Sequence, residues 1–457
     1  MFKESLKKPM RQHVDSILQG GTLVNHQGTG ICDIAVTNGK IVALGSLHGF
    51  AANETIDCRN LHVLPGVIDS QVHFREPGAV HKEDLESGSR AAVMGGVTGV
   101  FEMPNTKPTT TTAATLADKV TRARHRMFCD FAFYVGGTRD NVAEINRLEG
   151  LEGSAGIKVF AGSSTGDLLV EDDGGLNSII SALGRRAAFH SEDEMRLRAR
   201  LGFQVPGDAA SHPVWRDEEA ARLCTERLLR IARQQGKRIH VLHISTAEEL
   251  PLLAANRDIA TVEVTPQHLT LSLDEHATLG TKLQMNPPVR GSRHRDALWQ
   301  AITSGLVDVL GSDHAPHTLE EKAKPYPQSP SGMPGVQTLV PIMLNHVNAG
   351  KLSLQRFVDL TSHGPQRIFG IANKGRIAEG YDADFTIVDM QRSETISNHA
   401  MESRCGWTPY DGLKVQGWPV GTIIRGRTVM WQGAINAPAR GEPIKFVEAL
   451  KMETPHD

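Results

Sequence analysis

Apolar positions in this chain fall into short runs that recur along most of its length, broken by Gly, Pro and polar clusters. In the middle of the chain eight such runs alternate with longer polar or amphipathic stretches. They read VIDSQVHF, GVTGVFEMPN, DFAFYVGG, GIKVFAG, RAAFHSE, RIHVLHIS, ATVEVTPQH and DVLGSDHAPH. Each is short enough for a buried strand, and apolar on both faces, as expected when helices cover a parallel sheet. The intervening DEEAARLCTERLLRIARQQGKR has apolar residues at helical spacing, a charged outer face and a Gly-Lys stop. Strand and helix alternating in this way predict an α/β chain, a (β/α)8 barrel over residues 65–367.

The two ends have a different texture. SILQGGTLVN, ICDIAVTNGKIVALG and ETIDCRNLHVLPG near the start, and GRIAEGYDADFTIVD and PVGTIIRGRTVMWQGAI near the end, are strands and tight turns without helical spacing. Asn38-Gly39 between apolar runs is a hairpin signal. Neither end has enough strands to bury a core alone. Residues 1–64 and 368–457 are therefore expected to form one composite β-sandwich domain built from both termini.

A chain of 457 residues accommodates a large barrel and an appended domain. The net charge of −3 gives no electrostatic reason to expect nucleic acid or an anionic membrane as partner. The five cysteines (Cys32, Cys58, Cys129, Cys224, Cys405) are scattered, with no CxxC spacing. They suit reduced thiols in a cytoplasmic protein rather than a disulfide framework. The basic opening segment has no continuous apolar core, so no secretory signal or membrane span is expected.

The candidate chemistry lies in LPGVIDSQVHFREPG, residues 64–78, where Asp69, Gln71, His73 and Arg75 recur at period two, to be sent to one face of a strand. Later strand ends add Asn105, Lys158, His190, His243, His268, Asp313, His314 and His317. For any one histidine, a satisfied core residue is as good a reading as a ligand. Several imidazoles, a carboxylate and a lysine converging on one barrel mouth point to a site for zinc or a similar divalent ion. Lys158, between Ile157 and Val159, admits two readings of equal weight. It snorkels or pairs with an acid, or burial lowers its pKa so that it reacts with carbon dioxide to give an anionic carbamate ligand.

The motifs PGVIDSQVHFREPG, MPNTKPTT, GIKVF, FHSE, VLHIST and GSDHAPH, in this order, resemble the amidohydrolase superfamily. HFREPG followed by HKEDLESGS and GGVTGVFEMPNTKP makes the chain most similar to its dihydroorotase family. That resemblance implies two zinc ions bridged by a carboxylated Lys158. His190 and His243 match ligands of the more exposed ion, and His73 and Asp313 those of the more buried one. Asp313 matches the catalytic proton shuttle. Arg75 and Asn105 match the pair that holds the substrate carboxylate, assisted by His317, and Asn286 lines the substrate ring. The implied reaction is reversible hydrolysis of dihydroorotate to carbamoyl aspartate in pyrimidine synthesis, in a homodimer.

One position departs from the family. Its first-strand His-x-His reads Gln71-Val72-His73 here, and a neutral amide oxygen is a poorer zinc ligand than imidazole. Gln71 is then a weak ligand, or the buried site is empty and one ion sits on Lys158, His190 and His243, or the barrel is a degenerate scaffold. Retention of the other groups favours a working enzyme with a weakened first site. Two further readings stay open. One is an allantoinase- or hydantoinase-type cyclic amidohydrolase. The other is a scaffold subunit for aspartate transcarbamoylase, for which no docking motif is visible. The Gly/Ser/acid-rich stretch 163–176 is expected to be a mobile loop near the site.

Overall fold

The computed structural model describes residues 12–162 and 168–448. The basic opening segment therefore lies outside the described residues, as do residues 163–167 of the stretch expected to form a loop.

The N-terminal part supplies β1 (Gln12–Gln19), β2 (Thr22–Asn25), β3 (Gly28–Ile31), β4 (Asp33–Thr37), β5 (Lys40–Gly45), β6 (Phe50–Asp57) and β7 (His62–Pro65). Asn38 and Gly39 join β4 to β5 with φ of 50° and 73°, the left-handed pair that a two-residue hairpin turn requires. The eight central runs become β8 (Val67–Val72), β9 (Val97–Glu102), β10 (Asp130–Gly136), β11 (Ser154–Phe160), β12 (Ala187–His190), β13 (Ile239–Val241), β14 (Ala260–Val264) and β15 (Val309–Leu310). Four more strands follow, β16 (Phe385–Thr395), β17 (Lys414–Ile424), β18 (Arg427–Trp431) and β19 (Ala434–Ile435).

β8 to β15 form one parallel sheet in chain order. Its two ends meet through a bridge between Val72 and His314, with His73 N–H donating to His314 O at 2.7 Å. Only two residues of β15 join the ladder, and a side chain helps to close the seam: Asp69 Oδ1 accepts from the Ser312 amide at 2.9 Å. The predicted helix runs from Glu218 to Gln234, and Asp217 caps it by accepting from the Ala220 amide.

The termini share a sheet. Its order is β19-β18-β17-β16-β7-β2-β3, with Ile387 of β16 opposite Val63 of β7. A second sheet, β5-β4-β1-β6, packs on it over Leu18, Ile34, Val36, Phe385, Ile387 and Ile423.

Two further segments tie this region to the barrel. Residues 441–446 run along β10, with Phe131 N–H donating to Glu442 O at 3.0 Å and Ile444 N–H to Phe131 O at 2.8 Å. They bring Ile444 and Phe446 onto Ile68, Phe101, Tyr134 and Phe369 inside the barrel, where the Phe101 and Phe446 ring centroids are 5.7 Å apart. The connection between β16 and β17 reaches the other end, where Trp407 Nε1 donates to His317 O at 2.7 Å. At the junction Lys374 Nζ lies 2.7 Å from Asp130 Oδ2, 3.0 Å from Asp382 Oδ2 and 2.5 Å from Asp384 Oδ2. All five cysteines are free thiols. Among the described residues no helix is long and apolar enough to cross a membrane.

Candidate active site

The carboxyl ends of the barrel strands surround a cavity of about 390 Å³. Gln71, His73 and Arg75 line it from the first strand, and Asn105, Lys158, His190 and His243 from the next. Asn286, Asp313 and His317 complete the wall. Two hollows against the sandwich are larger, about 470 and 740 Å³, but few groups suited to catalysis face them. Convergent chemistry, rather than volume, selects the barrel mouth.

The strand periodicity is only part of the placement. Asp69 lies below the cavity, where its Oδ1 accepts from the Gln71 and Ser312 amides at 3.2 and 2.9 Å. Burial pushes its carboxyl up to about 7. Arg75, His243 and Asp313 have φ of 63°, 38° and 44°. Backbone in this region is costly for side chains other than Gly and is typical of functional sites. His268 is on a short helix, Pro266–Thr270, and its Nε2 faces the carbonyls of Pro287 and Pro288 at 3.1 and 3.2 Å. His314 Nδ1 accepts from the Gly335 amide at 3.0 Å while its Nε2 faces Glu83 at 3.3 Å. Both brace loops and neither lines the cavity.

One wall holds two imidazoles. His190 Nδ1 and His243 Nε2 face each other at 3.1 Å. His190 Nε2 donates to Glu192 Oε2 at 2.7 Å, and Glu192 is gripped by Arg216 at 3.0 and 2.5 Å. Such a carboxylate fixes the tautomer and leaves the Nδ1 lone pair pointing inward. Burial holds both rings neutral, the more so for His243, which also faces His190 and Lys158.

Lys158 Nζ is buried 4.4 Å from the Phe160 ring centroid and has no hydrogen-bond partner among the described residues. Burial lowers its pKa to about 7, opposed by the charges of Asp313 and Glu263. On the opposite wall Gln71 Nε2 donates to Asp313 Oδ1 at 2.9 Å, and His73 Nε2 lies 3.3 Å from the same oxygen. His73 Nδ1 donates to Asn105 Oδ1 at 2.8 Å.

The donor set fits a divalent ion on the histidine wall. A tetrahedral zinc site with Zn–N of ~2.05 Å would separate two nitrogens by roughly 3.3 Å, close to the spacing of His190 and His243. Lys158 Nζ, which lines the same cavity, is an orphaned polar atom among the described residues, as expected where a group is still to be accommodated. Among the described residues no three His, Cys, Asp or Glu side chains form a ready-made cluster. The third donor on this wall is a lysine, and the residue beside His73 is an amide. Gln71 Oε1, also orphaned, is the weaker candidate because the same amide is already committed to Asp313.

Arg75, Asn105 and His317 gather at the remaining side. Arg75 Nε donates to Pro316 O at 3.2 Å and its Nη2 lies 3.3 Å from His317 Nε2. Glu192, Arg216 and Lys82, which contact this constellation, were not singled out from the sequence. FHSE and HKEDLESGS contain two of them, but nothing local shows which partner each meets. His212, another residue given no role there, has its Nε2 2.9 Å from Asn286 Oδ1.

The profile of the amidohydrolase family matches residues 62–168 and 217–429. A dihydroorotase of Halobacterium salinarum is 38% identical over 380 residues, 81% of this chain and 86% of its own. An L-hydantoinase of Paenarthrobacter aurescens is 33% identical over 92% of this chain and 95% of its own. The solved L-hydantoinase (dihydropyrimidinase) from Arthrobacter aurescens superposes with a TM-score of 0.91 at 30% identity, covering 94% of this chain and 99% of that one. With the matched profile spanning both barrel and sandwich strands, the chain belongs to the amidohydrolase family.

Proposed function

We propose that this protein is a dihydroorotase, a cyclic amide hydrolase that interconverts dihydroorotate and N-carbamoyl aspartate. The observation that carries the reading is the basic corner of the cavity, where Arg75 and His317 lie 3.3 Å apart on the wall that also holds Asn105. Several similar proteins carry the same name. A ring bearing a carboxylate needs such a corner, because a planar guanidinium can take both oxygens of an anion. A plain hydantoin ring gives it nothing to hold.

Lys158, as a carbamate formed with carbon dioxide, would hold a zinc ion with His190 and His243. A divalent cation there supplies an acidified water, with pKa near ~7, and polarises an amide carbonyl. The chain's own groups do the rest. Arg75 and the Asn105 amide hold the substrate carboxylate. Asn105 also fixes His73, since its Oδ1 accepts the Nδ1 proton and holds the ring with Nε2 3.3 Å from Asp313 Oδ1. Asp313 takes a proton from the attacking water at a carboxylate oxygen and delivers it to the departing ring nitrogen. Ring closure uses the same groups in reverse. Gln71, donating to Asp313, takes the place of a cation beside that carboxylate, so one ion is expected on the histidine wall.

The test is hydrolysis of dihydroorotate and of hydantoin by protein purified with zinc and bicarbonate. Turnover of dihydroorotate supports the proposal. Turnover of hydantoin alone would shift it to the hydantoinase reading, which the TM-score of 0.91 keeps in view. With neither, the degenerate scaffold takes precedence.

A further inference from the structure

We propose that Lys82 is a positioning residue that keeps the proton of His317 on Nε2, so that Arg75 Nη2 is left free for an anion and is not taken up by an imidazole lone pair. The inference deepens the proposed dihydroorotase reading and rests on it only for the identity of the anion.

His317 lies between two incompatible hydrogen-bond networks. Lys82 Nζ is 3.0 Å from its Nδ1, and Glu321 Oε2 is 3.6 Å from the same nitrogen. At the other side of the ring, Ser331 O is 3.0 Å from Nε2 and Arg75 Nη2 is 3.3 Å from it. A neutral imidazole carries one proton, so one nitrogen donates and the other accepts.

With the proton on Nε2, His317 donates to the Ser331 carbonyl and accepts from Lys82. The two contacts at 3.0 Å then each pair a donor with an acceptor; Glu321, farther off at 3.6 Å, pairs with Lys82 instead, and Arg75 Nη2 is left over for a ligand. With the proton on Nδ1, His317 would donate to Glu321 and accept from Arg75. That arrangement occupies the guanidinium, sets a lone pair against the Ser331 carbonyl and aims an N–H at an ammonium. An ammonium has donors and no acceptor, so Lys82 excludes the second network as long as it stays at Nδ1.

The placement is built. Lys82 is held in turn by Glu321 at 3.1 Å, and its side chain is only 17% exposed. His317 is fixed from behind by Trp407 Nε1 on its carbonyl. Burial, with Arg75, Lys82 and Lys322 as cationic neighbours, keeps the ring neutral against the opposing charge of the facing Glu321 carboxylate, so one proton is shared between two nitrogens. Lys82 follows the first barrel strand and Glu321 belongs to the short helix Leu319–Lys322, so loops from both sides of the barrel seam set the state of this ring.

The experiment is long-range 15N–1H correlation of imidazole nitrogens in the full chain labelled on histidine, with His317 identified by the signals lost in His317→Asn. The expected pattern is protonated Nε2 and hydrogen-bonded, unprotonated Nδ1. Lys82→Met should move the proton to Nδ1, or average the two, and Lys82→Arg, which is again a pure donor, should restore the first pattern. In kinetics, Lys82→Met should raise KM for dihydroorotate about 10- to 100-fold, the worth of a hydrogen bond to a charged group, with kcat changing less. A proton on Nδ1 in the unmutated chain overturns the proposal without any variant. So does an unaltered pattern in a folded Lys82→Met. If the tautomer responds to Lys82 but dihydroorotate is not turned over, the positioning role stands and the substrate reading falls.

Discussion

Gln71 donates its side-chain N–H to Asp313 Oδ1 across 2.9 Å, on the same oxygen that His73 Nε2 approaches to 3.3 Å. The amide neutralises none of the charge of Asp313, and in the proposed mechanism it stands in for a second cation beside that carboxylate. Gln71→His should therefore raise the metal content of zinc-loaded protein from one ion per chain toward two. Elemental analysis after gel filtration checks this. An unchanged ratio would mean that the amide does not control the second site.

Lys158 sets a pH dependence. Its pKa in the fold is about 7, against ~10.4 for a free lysine. Only the neutral amine attacks carbon dioxide, so the carbamate should accumulate as pH rises through about 7. The same shift means that, between about 7 and ~10.4, the unfolded chain binds more protons than the folded one, so the metal-free protein should gain stability with rising pH across that window. A 13C-bicarbonate carbamate signal that grows from pH 6 to pH 8 (roughly the span over which this amine loses its proton) and is absent in Lys158→Arg would bear this out.

In the proposed mechanism Asn105 has two tasks that substitution can separate. Asn105→Asp keeps the acceptor for His73 Nδ1 but sets a negative charge beside the substrate carboxylate. KM for dihydroorotate should rise by at least ~10-fold while the His73 tautomer is unchanged. Asn105→Ala loses both, and kcat should also fall, by roughly 100-fold for a misplaced group. Steady-state kinetics of the two variants side by side decides the point; equal losses of kcat would refute the division.

Lys374 bears on stability. It is 7% exposed at the side chain and pairs with Asp130, Asp382 and Asp384, of which Asp130 also pairs with Arg425 and Asp382 with Lys40. Lys374→Met should cost about 3–5 kcal/mol, because it removes the ion-pair partner of the buried Asp384 and leaves that carboxylate in place. The urea midpoint should drop, and adding Asp384→Asn should recover part of the loss. A midpoint that does not move would show that the cluster adds nothing net.

All eight barrel strands were legible because buried parallel strands are almost uniformly apolar and end in Gly, Pro or polar residues. The residues lining the cavity were legible for the related reason that a charged or imidazole side chain at the end of an apolar run stands out. What the chain conceals is which groups meet. Glu192 looks like any acid after a strand until Arg216, on a separate segment, closes on it. His268 follows a strand in the sequence, yet Pro266 starts a helix and turns its ring to the loop carbonyls. Residues 441–446 carry no periodic pattern, and only Ile444 and Phe446 in place against Phe101 reveal their role.

That last segment has a bearing on how this architecture can be rearranged. The layer of side chains closing the barrel opposite the histidines is completed by residues far along the chain from the strands, and β7, which leads into β8, pairs with β16. A recombination that moved residues 65–367 alone into another protein would carry the catalytic constellation without its floor, exposing Phe101 and Tyr134. Inheritance of this site is therefore expected to be all-or-none: barrel, sandwich and the late segment travel together, and chimaeras joined at the barrel's edges should fail by aggregation before they fail in chemistry.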